Sequence, residues 1–173
     1  MSREIRPTVA ADIKGLADAL IQVHSTDGYP VEGVDNPQAW LHLPAALGQW
    51  TALLDGNPVG HFGITRPGQG DAAPAMLAAS EGMSLDDIAV LVRLFVAPAA
   101  RGRSLGREMV EKAEEMARAM GLRLTLDVME KDRDAISLYE RQGWVALGSF
   151  SHTYGDEERI HAIAMAAPEP RLE

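Results

Sequence analysis

Nine consecutive residues, Ile88 to Val96 (IAVLVRLFV), are apolar except for Arg93. A run of that length, rich in Val, Leu and Ile and stopped by Pro98, has the pattern of a strand covered on both faces; a half-exposed strand would alternate. Directly after it, Leu105, Met109, Ala113, Met116, Ala117 and Met120 recur on one face of a helix whose other face carries Glu, Lys and Arg. Gly121 supplies its C-cap. The segment Asp87 to Gly121 therefore reads as a buried strand, a short turn and a long amphipathic helix. A doubly covered strand that leads into such a helix belongs in a layered α/β architecture.

The turn is Arg101-Gly102-Arg103-Ser104-Leu105-Gly106. Arg101, Arg103 and Arg107 crowd the start of a helix, where the macrodipole favours negative charge. Three cations are unfavourable there unless an anion sits among them. Unpaired N–H groups at a helix start, with glycines that let a ligand approach closely, make a phosphate cradle. Ser104 reads as the N-cap. An ordinary strand-to-helix turn with solvated arginines accounts for the same residues equally well at this point.

The wider order decides more. The turn resembles motif A of the GNAT acyltransferase superfamily, Arg/Gln-x-x-Gly-x-Gly/Ala, with Ser104 where the family prefers Gly. A strand, LRLTLDV, comes next, and then DRDAISLYERQGW, which resembles the family's motif B. There Ala135, Leu138, Tyr139 and Gly143 match, Asp132 replaces Asn and Trp144 replaces Phe. The resemblance covers about Ile88 to Phe150; the N-terminal half fits in element order alone. It implies an α/β (mixed α+β) fold: a GNAT-like mixed central sheet of about seven strands, flanked by about four helices, with a parallel β-α-β core.

The rest of the chain supplies the remaining elements. Glu4 to Pro7 reads as a first strand and Val9 to Val23 as a helix with Ile13, Leu16, Ala17, Leu20, Ile21 and Val23 inward. Ser25 to Pro37 is turn-rich loop, and Gln38 to Leu47 a short second helix. Trp50 to Leu54 and Val59 to Thr65 read as strands joined by the hairpin signal Asp55-Gly56-Asn57-Pro58. Arg66 to Ser84, rich in Gly, Ala and Pro, is expected as a mobile loop, with a helical turn over Pro74 to Ser80 as the alternative. Arg123 to Val128 is the second parallel strand and Asp132 to Gln142 a helix. Trp144 to Phe150 and Arg159 to Ala166 are final strands around a turn with Gly155. Residues 1–167 are expected as one domain and Pro168 to Glu173 as a flexible tail.

Composition bounds the chemistry. The 173 residues are 46% hydrophobic and 24% charged and include no cysteine, so disulfides, thiolate metal sites and a cysteine nucleophile are excluded. The N-terminal MSREIRP has no signal-peptide core and no apolar run approaches a membrane span, which together with the absent disulfides gives a cytoplasmic expectation. Net charge is −9 and argues against nucleic-acid binding. From Gly15 to Val92 one positive residue, Arg66, stands against nine acidic ones, a net of −8.

The resemblance implies acetyl-CoA as donor, with no metal. In the family the pyrophosphate rests on the turn, here Arg101, Gly102, Arg103, Ser104, Leu105 and Gly106. The pantetheine arm pairs with the strand end, here Leu94, Phe95 and Val96, and Asp132 and Tyr139 stand with the cofactor. The resemblance gives Tyr139 the family role of general acid toward the departing thiolate; from the residues alone it reads first as a packing residue beside Ala135 and Ile136. The strand where relatives often carry a Glu base has only Arg93, which leaves Asp87 or Asp86 at its start, and His61, as candidates. Asp27, Tyr29 and Glu32 occupy the place of the acceptor-side wall. The function expected is direct acetyl transfer to a primary amine of a cationic small molecule or protein amine; the rival is an inactive acyl-CoA-binding regulatory module of the same fold. Homodimers are common among such proteins.

Overall fold

The computed structural model describes residues 2–30, 32–154 and 158–169. Seven strands form one mixed sheet in the order β1-β2-β3-β4-β5-β7-β6. They are β1 (Arg3–Pro7), β2 (Gly48–Leu54), β3 (Asn57–Thr65), β4 (Ile88–Val96), β5 (Arg123–Met129), β6 (Val145–Tyr154) and β7 (Glu158–Ala166). The helices are α1 (Ile13–Asp27), α2 (Pro37–Trp40), α3 (Ala72–Glu81), α4 (Leu105–Ala119) and α5 (Arg133–Arg141). The chain divides into two compact units: residues 1–65 with 92–112, and residues 66–91 with 113–173. β4 and α4 each run through both.

In the first unit β1, β2 and β3 form an antiparallel meander. The β2–β3 hairpin turns on Asp55 (φ 49°) and Gly56 (φ 81°), two left-handed residues whose twist matches that of the flanking strands. The register slips between Ala52 and Leu53, where Leu53 faces Pro58, a residue with no N–H to give to the ladder. α1 buries Leu16, Ala17, Ala19, Leu20 and Val23. Ile21, expected inward, is exposed because it lies off that stripe.

In the second unit β4 and β5 pair in parallel, Ile88 with Arg123, Ala89 with Leu124 and Val90 with Thr125. β7 pairs antiparallel with both β5 and β6. α5 buries Ile136 and Tyr139. The loop expected over Arg66 to Ser84 is corrected: Ala72–Glu81 is a helix, of which Pro74 to Ser80 is the middle. Alanine is the best helix former, and Pro74 stands in the first turn, where its missing N–H has no intrahelical acceptor to lose. Gly82 (φ 65°) ends that helix. The opposite correction applies to Gln38 to Leu47: only Pro37–Trp40 is helical, since Pro44 cannot continue the ladder. The turn at Gly155 and the tail from Pro170 lie outside the described residues. No described helix is long and apolar enough to cross a membrane.

Candidate active site

β4 delivers the chain to the turn and α4 carries it away. Between them Gly102 (φ 77°) and Ser104 (φ 62°) are both left-handed. The Ser104 carbonyl accepts the first helical bond, from Glu108 N at 3.1 Å, so Ser104 does hold the N-cap position. Its φ explains why a glycine suits that place: the left-handed region is free for glycine and strained for other residues. Among the described residues the amides of Gly102, Ser104, Leu105 and Gly106 have no protein acceptor. Four unengaged N–H groups at the mouth of a fifteen-residue helix, flanked by arginines, fit a pyrophosphate.

Arg101 does something the sequence did not indicate. Its Nε donates to the Val96 carbonyl at 3.2 Å and its Nη2 to Asp27 Oδ2 at 2.5 Å. One guanidinium thus ties the end of β4, the start of the turn and the last residue of α1. Asp27, expected on the acceptor wall, is in this way also a neighbour of the turn before α4.

The loop after α1 closes over the end of β4. Gly28 (φ 70°) caps α1 and the Tyr29–Pro30 bond is cis. Tyr29 meets Trp40 edge-on, with ring centroids 5.8 Å apart, and Trp40 lies 6.1 Å from Phe95. Trp40 Nε1 donates to Glu32 at 2.6 Å. Tyr29 and Glu32 therefore both meet Trp40, which in turn lies beside Phe95. Two residues the sequence did not nominate complete this cluster: Trp40 and Arg93. Arg93 sits inside β4 at φ 54°, donates to the Trp40 carbonyl and lies over the Trp40 ring at 4.8 Å. Burial lowers its pKa, against the opposing pull of Tyr29 and Glu32. Its signal was visible as the one charge within a nine-residue apolar strand.

His61 is removed as a base. It is fully buried, its Nδ1–H donates to the Arg93 carbonyl at 2.8 Å, and its Nε2 accepts from Gln49 at 3.0 Å. Burial pulls its pKa down to about 4. Both ring nitrogens are occupied, and their work is to hold β2, β3 and β4 together.

In the second unit Asp87 ends a short 3-10 turn at the exposed start of β4, the end opposite to Leu94, Phe95 and Val96. Asp132 is the N-cap residue of α5 and its Oδ1 pairs with Lys131 at 2.9 Å. Tyr139 is buried one turn before the end of α5, its ring 5.5 Å from that of Trp144. Among the described residues its hydroxyl has no hydrogen-bond partner. Burial, and secondarily the charge of Asp132, push its pKa well above the ordinary tyrosine value. It stays protonated, a donor with no protein acceptor. Trp144 is fixed by Nε1 donating to Glu114 at 2.6 Å. Among the described residues no group of three or more His, Asp or Glu could hold a metal ion.

Comparison with known proteins bears on the family and the fold. The chain is 41% identical over 66 residues to an IAA acetyltransferase of Azospirillum brasilense, 38% of this chain and 42% of that protein. It is 33% identical over 108 residues to an uncharacterized N-acetyltransferase, YjgM, of Escherichia coli, 60% of this chain and 56% of that one. The matches thus span about half the length of these curated relatives. Among solved structures, the ribosomal-protein-S18-alanine N-acetyltransferase of Escherichia coli superposes with a TM-score of 0.71 at 18% identity, over 99% of this chain and 97% of that one. A Salmonella typhimurium acetyltransferase, yncA, solved with its cofactor acetyl-CoA, superposes with a TM-score of 0.71 at 14% identity, over the whole of this chain and 98% of that one. Identities that low speak for the fold alone. A family model described as the acetyltransferase (GNAT) family matches residues 16–144, well over half of the sequence. The chain belongs to the GNAT acetyltransferase family.

Proposed function

We propose that this protein is an acetyl-CoA-dependent N-acetyltransferase that passes acetyl directly to the primary amine of a cationic small molecule or protein. The observation that carries the reading is the turn before α4: left-handed Gly102 and Ser104, and four amides without protein acceptors at a helix start. Gly102, Ser104, Leu105 and Gly106 hold the pyrophosphate through backbone N–H groups. The edge of Leu94, Phe95 and Val96 takes the amide groups of the pantetheine arm. Tyr139 gives its proton to the leaving thiolate, and Asp132 raises the affinity of Tyr139 for that proton. The acceptor arrives as an ammonium ion, drawn by an acidic stretch that includes Asp27, Glu32 and Asp35.

β4 itself has no carboxylate, and Asp87, the candidate base at its start, stands at the end of this nine-residue strand opposite Leu94, Phe95 and Val96, about 25 Å away at ~3.3 Å per residue and out of reach of a single bridging water. The reacting species is therefore the neutral fraction of the amine, about 4 × 10⁻⁴ at pH 7 for a pKa near 10.4, and Asp87→Asn is expected to keep its kcat/KM. The absent strand carboxylate and the strained Ser104 also favour a second reading, a non-turnover acyl-CoA-binding module. The two separate on free thiol. The enzyme releases CoA thiol from acetyl-CoA in the presence of an amine panel; the module binds acetyl-CoA and releases none above hydrolysis. Gly106→Val tests the cradle within the same assay. A side chain at Gly106 obstructs close approach to the amides and weakens CoA binding strongly; unchanged affinity by calorimetry would place the phosphates elsewhere. A homodimer is part of the proposal, read by light scattering.

A further inference from the structure

The cofactor cradle leaves Arg93 unexplained. It is half-buried in β4, one residue from the strand edge that faces the pantetheine arm, and on the far side of that edge from the phosphate turn. A guanidinium has five N–H donors. Among the described residues only one contact uses them, from Nη1 to the Trp40 carbonyl. Trp40 covers one face of the group and itself meets Tyr29 and Phe95. Glu32, whose charge acts on Arg93, is not an ion-pair partner: it accepts from Trp40 Nε1, and no carboxylate lies within ion-pair distance of Arg93 among the described residues. The backbone at Arg93 is held at φ 54° within a strand, a conformation that persists only where the surroundings fix it. His61 Nδ1–H, donating to the Arg93 carbonyl, is one such fixture.

A half-dry cation with most of its donors unmet, fixed at the acyl end of the cofactor strand, is built to receive an anion. The phosphates of CoA are assigned to the turn beyond Val96, with Leu94, Phe95 and Val96 between it and Arg93, so the anion belongs to the acceptor. We infer that Arg93 reads a carboxylate on the acceptor, and that the preferred acceptors are amino-acid-like: a primary amine, a carboxylate beside it and an apolar body for the Tyr29, Trp40 and Phe95 rings. The planar fork of arginine matches a carboxylate with two parallel bonds, which lysine cannot reproduce. This inference rests on the acetyl-transfer reading and revises its acceptor: the ammonium is kept, and the carboxylate makes the preferred acceptors zwitterionic rather than cationic.

The test compares matched sets: L-phenylalanine, L-phenylalaninamide and phenethylamine, and L-leucine with its amide and amine. The amides have the more acidic ammonium and so the larger neutral fraction at pH 7, which works against the expected result. The wild-type protein is expected to favour each free acid over its amide by about tenfold to a hundredfold in kcat/KM, the range of a charge-assisted pair. In Arg93→Gln that ratio collapses toward one, and Arg93→Lys retains part of it. Melting temperature and acetyl-CoA affinity of each variant show whether the fold and the cofactor site persist. Equal losses on acid, amide and amine, or a wild-type protein indifferent to the carboxylate, overturn the inference and leave acetyl transfer standing. If no amine releases thiol, acetyl transfer fails instead; the carboxylate reading is then judged by equilibrium binding of L-phenylalanine and its amide to the CoA-loaded wild type and Arg93→Gln. Tighter binding of the acid, lost in the variant, supports it; equal binding overturns it.

Discussion

Ser104 shows how a single backbone angle connects sequence to function. At φ 62° it occupies ground where an L side chain costs roughly 1–2 kcal/mol. Glycine removes that strain and adds backbone entropy to the unfolded chain, an opposing cost of about 0.4–1 kcal/mol. Ser104→Gly is therefore expected to stabilise the fold by up to about 1 kcal/mol, with CoA affinity equal or improved because the amide that meets phosphate is retained. A melting temperature that falls would mean that the Ser104 side chain has a partner worth more than the strain. Tyr139 poses a sharper question at the same scale. Phe keeps the ring against Trp144 and deletes only the hydroxyl, so Tyr139→Phe is expected to lower kcat by about 10²-fold, the low end for general-acid assistance, with little change in stability. Tyr139→Ala deletes a buried ring and costs about 3–5 kcal/mol whatever the mechanism. Steady-state rates at saturating acetyl-CoA beside melts of both variants separate catalysis from packing; a Phe variant at full speed removes Tyr139 from the chemistry.

Among elements, the junction of α1, β4 and the turn is the most consequential. Asp27 ends α1, and its carboxylate engages the Arg101 guanidinium that also grips the Val96 carbonyl. Both partners are more than a third exposed, so the pair itself contributes little to stability. Its effect is on availability, because Arg101 cannot serve Asp27 and a phosphate with the same N–H groups. Asp27→Asn is expected to leave the melting temperature within about a degree or two and to tighten CoA a few-fold, with the gain shrinking at high salt as screening rises. Arg101→Ala should weaken CoA and abolish the effect of Asp27→Asn. CoA that binds Asp27→Asn and the parent equally in low salt would show that Arg101 plays no part in holding phosphate.

For the molecule as a whole, β4 and α4 each pass through both compact units, and we propose that the two unfold as one domain in a single transition. His61 gives that transition a pH dependence. In the folded protein its pKa is about 4, set first by burial, against 6.5 in an exposed chain. The neutral form is favoured in the fold, so the unfolded chain binds the extra proton as acid is added. Stability is then fully present above about pH 6.5 and declines as pH falls toward 4, by an amount on the order of 3 kcal/mol. Asp12 acts below that window. Its carboxylate is held below its usual pKa chiefly by Arg6, with hydrogen bonds at 2.8 and 3.0 Å, so its contribution is lost only at still lower pH. Urea unfolding at pH 7, 5.5 and 4.5 on the parent and His61→Gln measures the first effect. A pH slope unchanged in the variant would assign the acid sensitivity to other groups.

The β4-turn-α4 segment, the motif around Tyr139 and the family itself were legible in the residues, because they rest on local physics. A doubly buried strand needs an unbroken apolar run, a long amphipathic helix needs its stripe, and a phosphate cradle needs small residues at a helix start. The hairpin at Asp55-Gly56 was legible for the same reason. α3 was not, because glycine and proline around it read as loop while the alanines within it decided otherwise. The partners of Arg101, Arg93 and His61 could not be read at all. Asp27 lies 74 positions from Arg101, the Trp40 carbonyl 53 from Arg93, and the Arg93 carbonyl 32 from His61. Sequence pattern reports which face of an element is buried; it does not report what arrives on that face from a distant part of the chain. The acidic balance of residues 15–92 thus suggested a site for cations, and only the fold revealed an arginine, set by a left-handed backbone, among the aromatic rings beside β4.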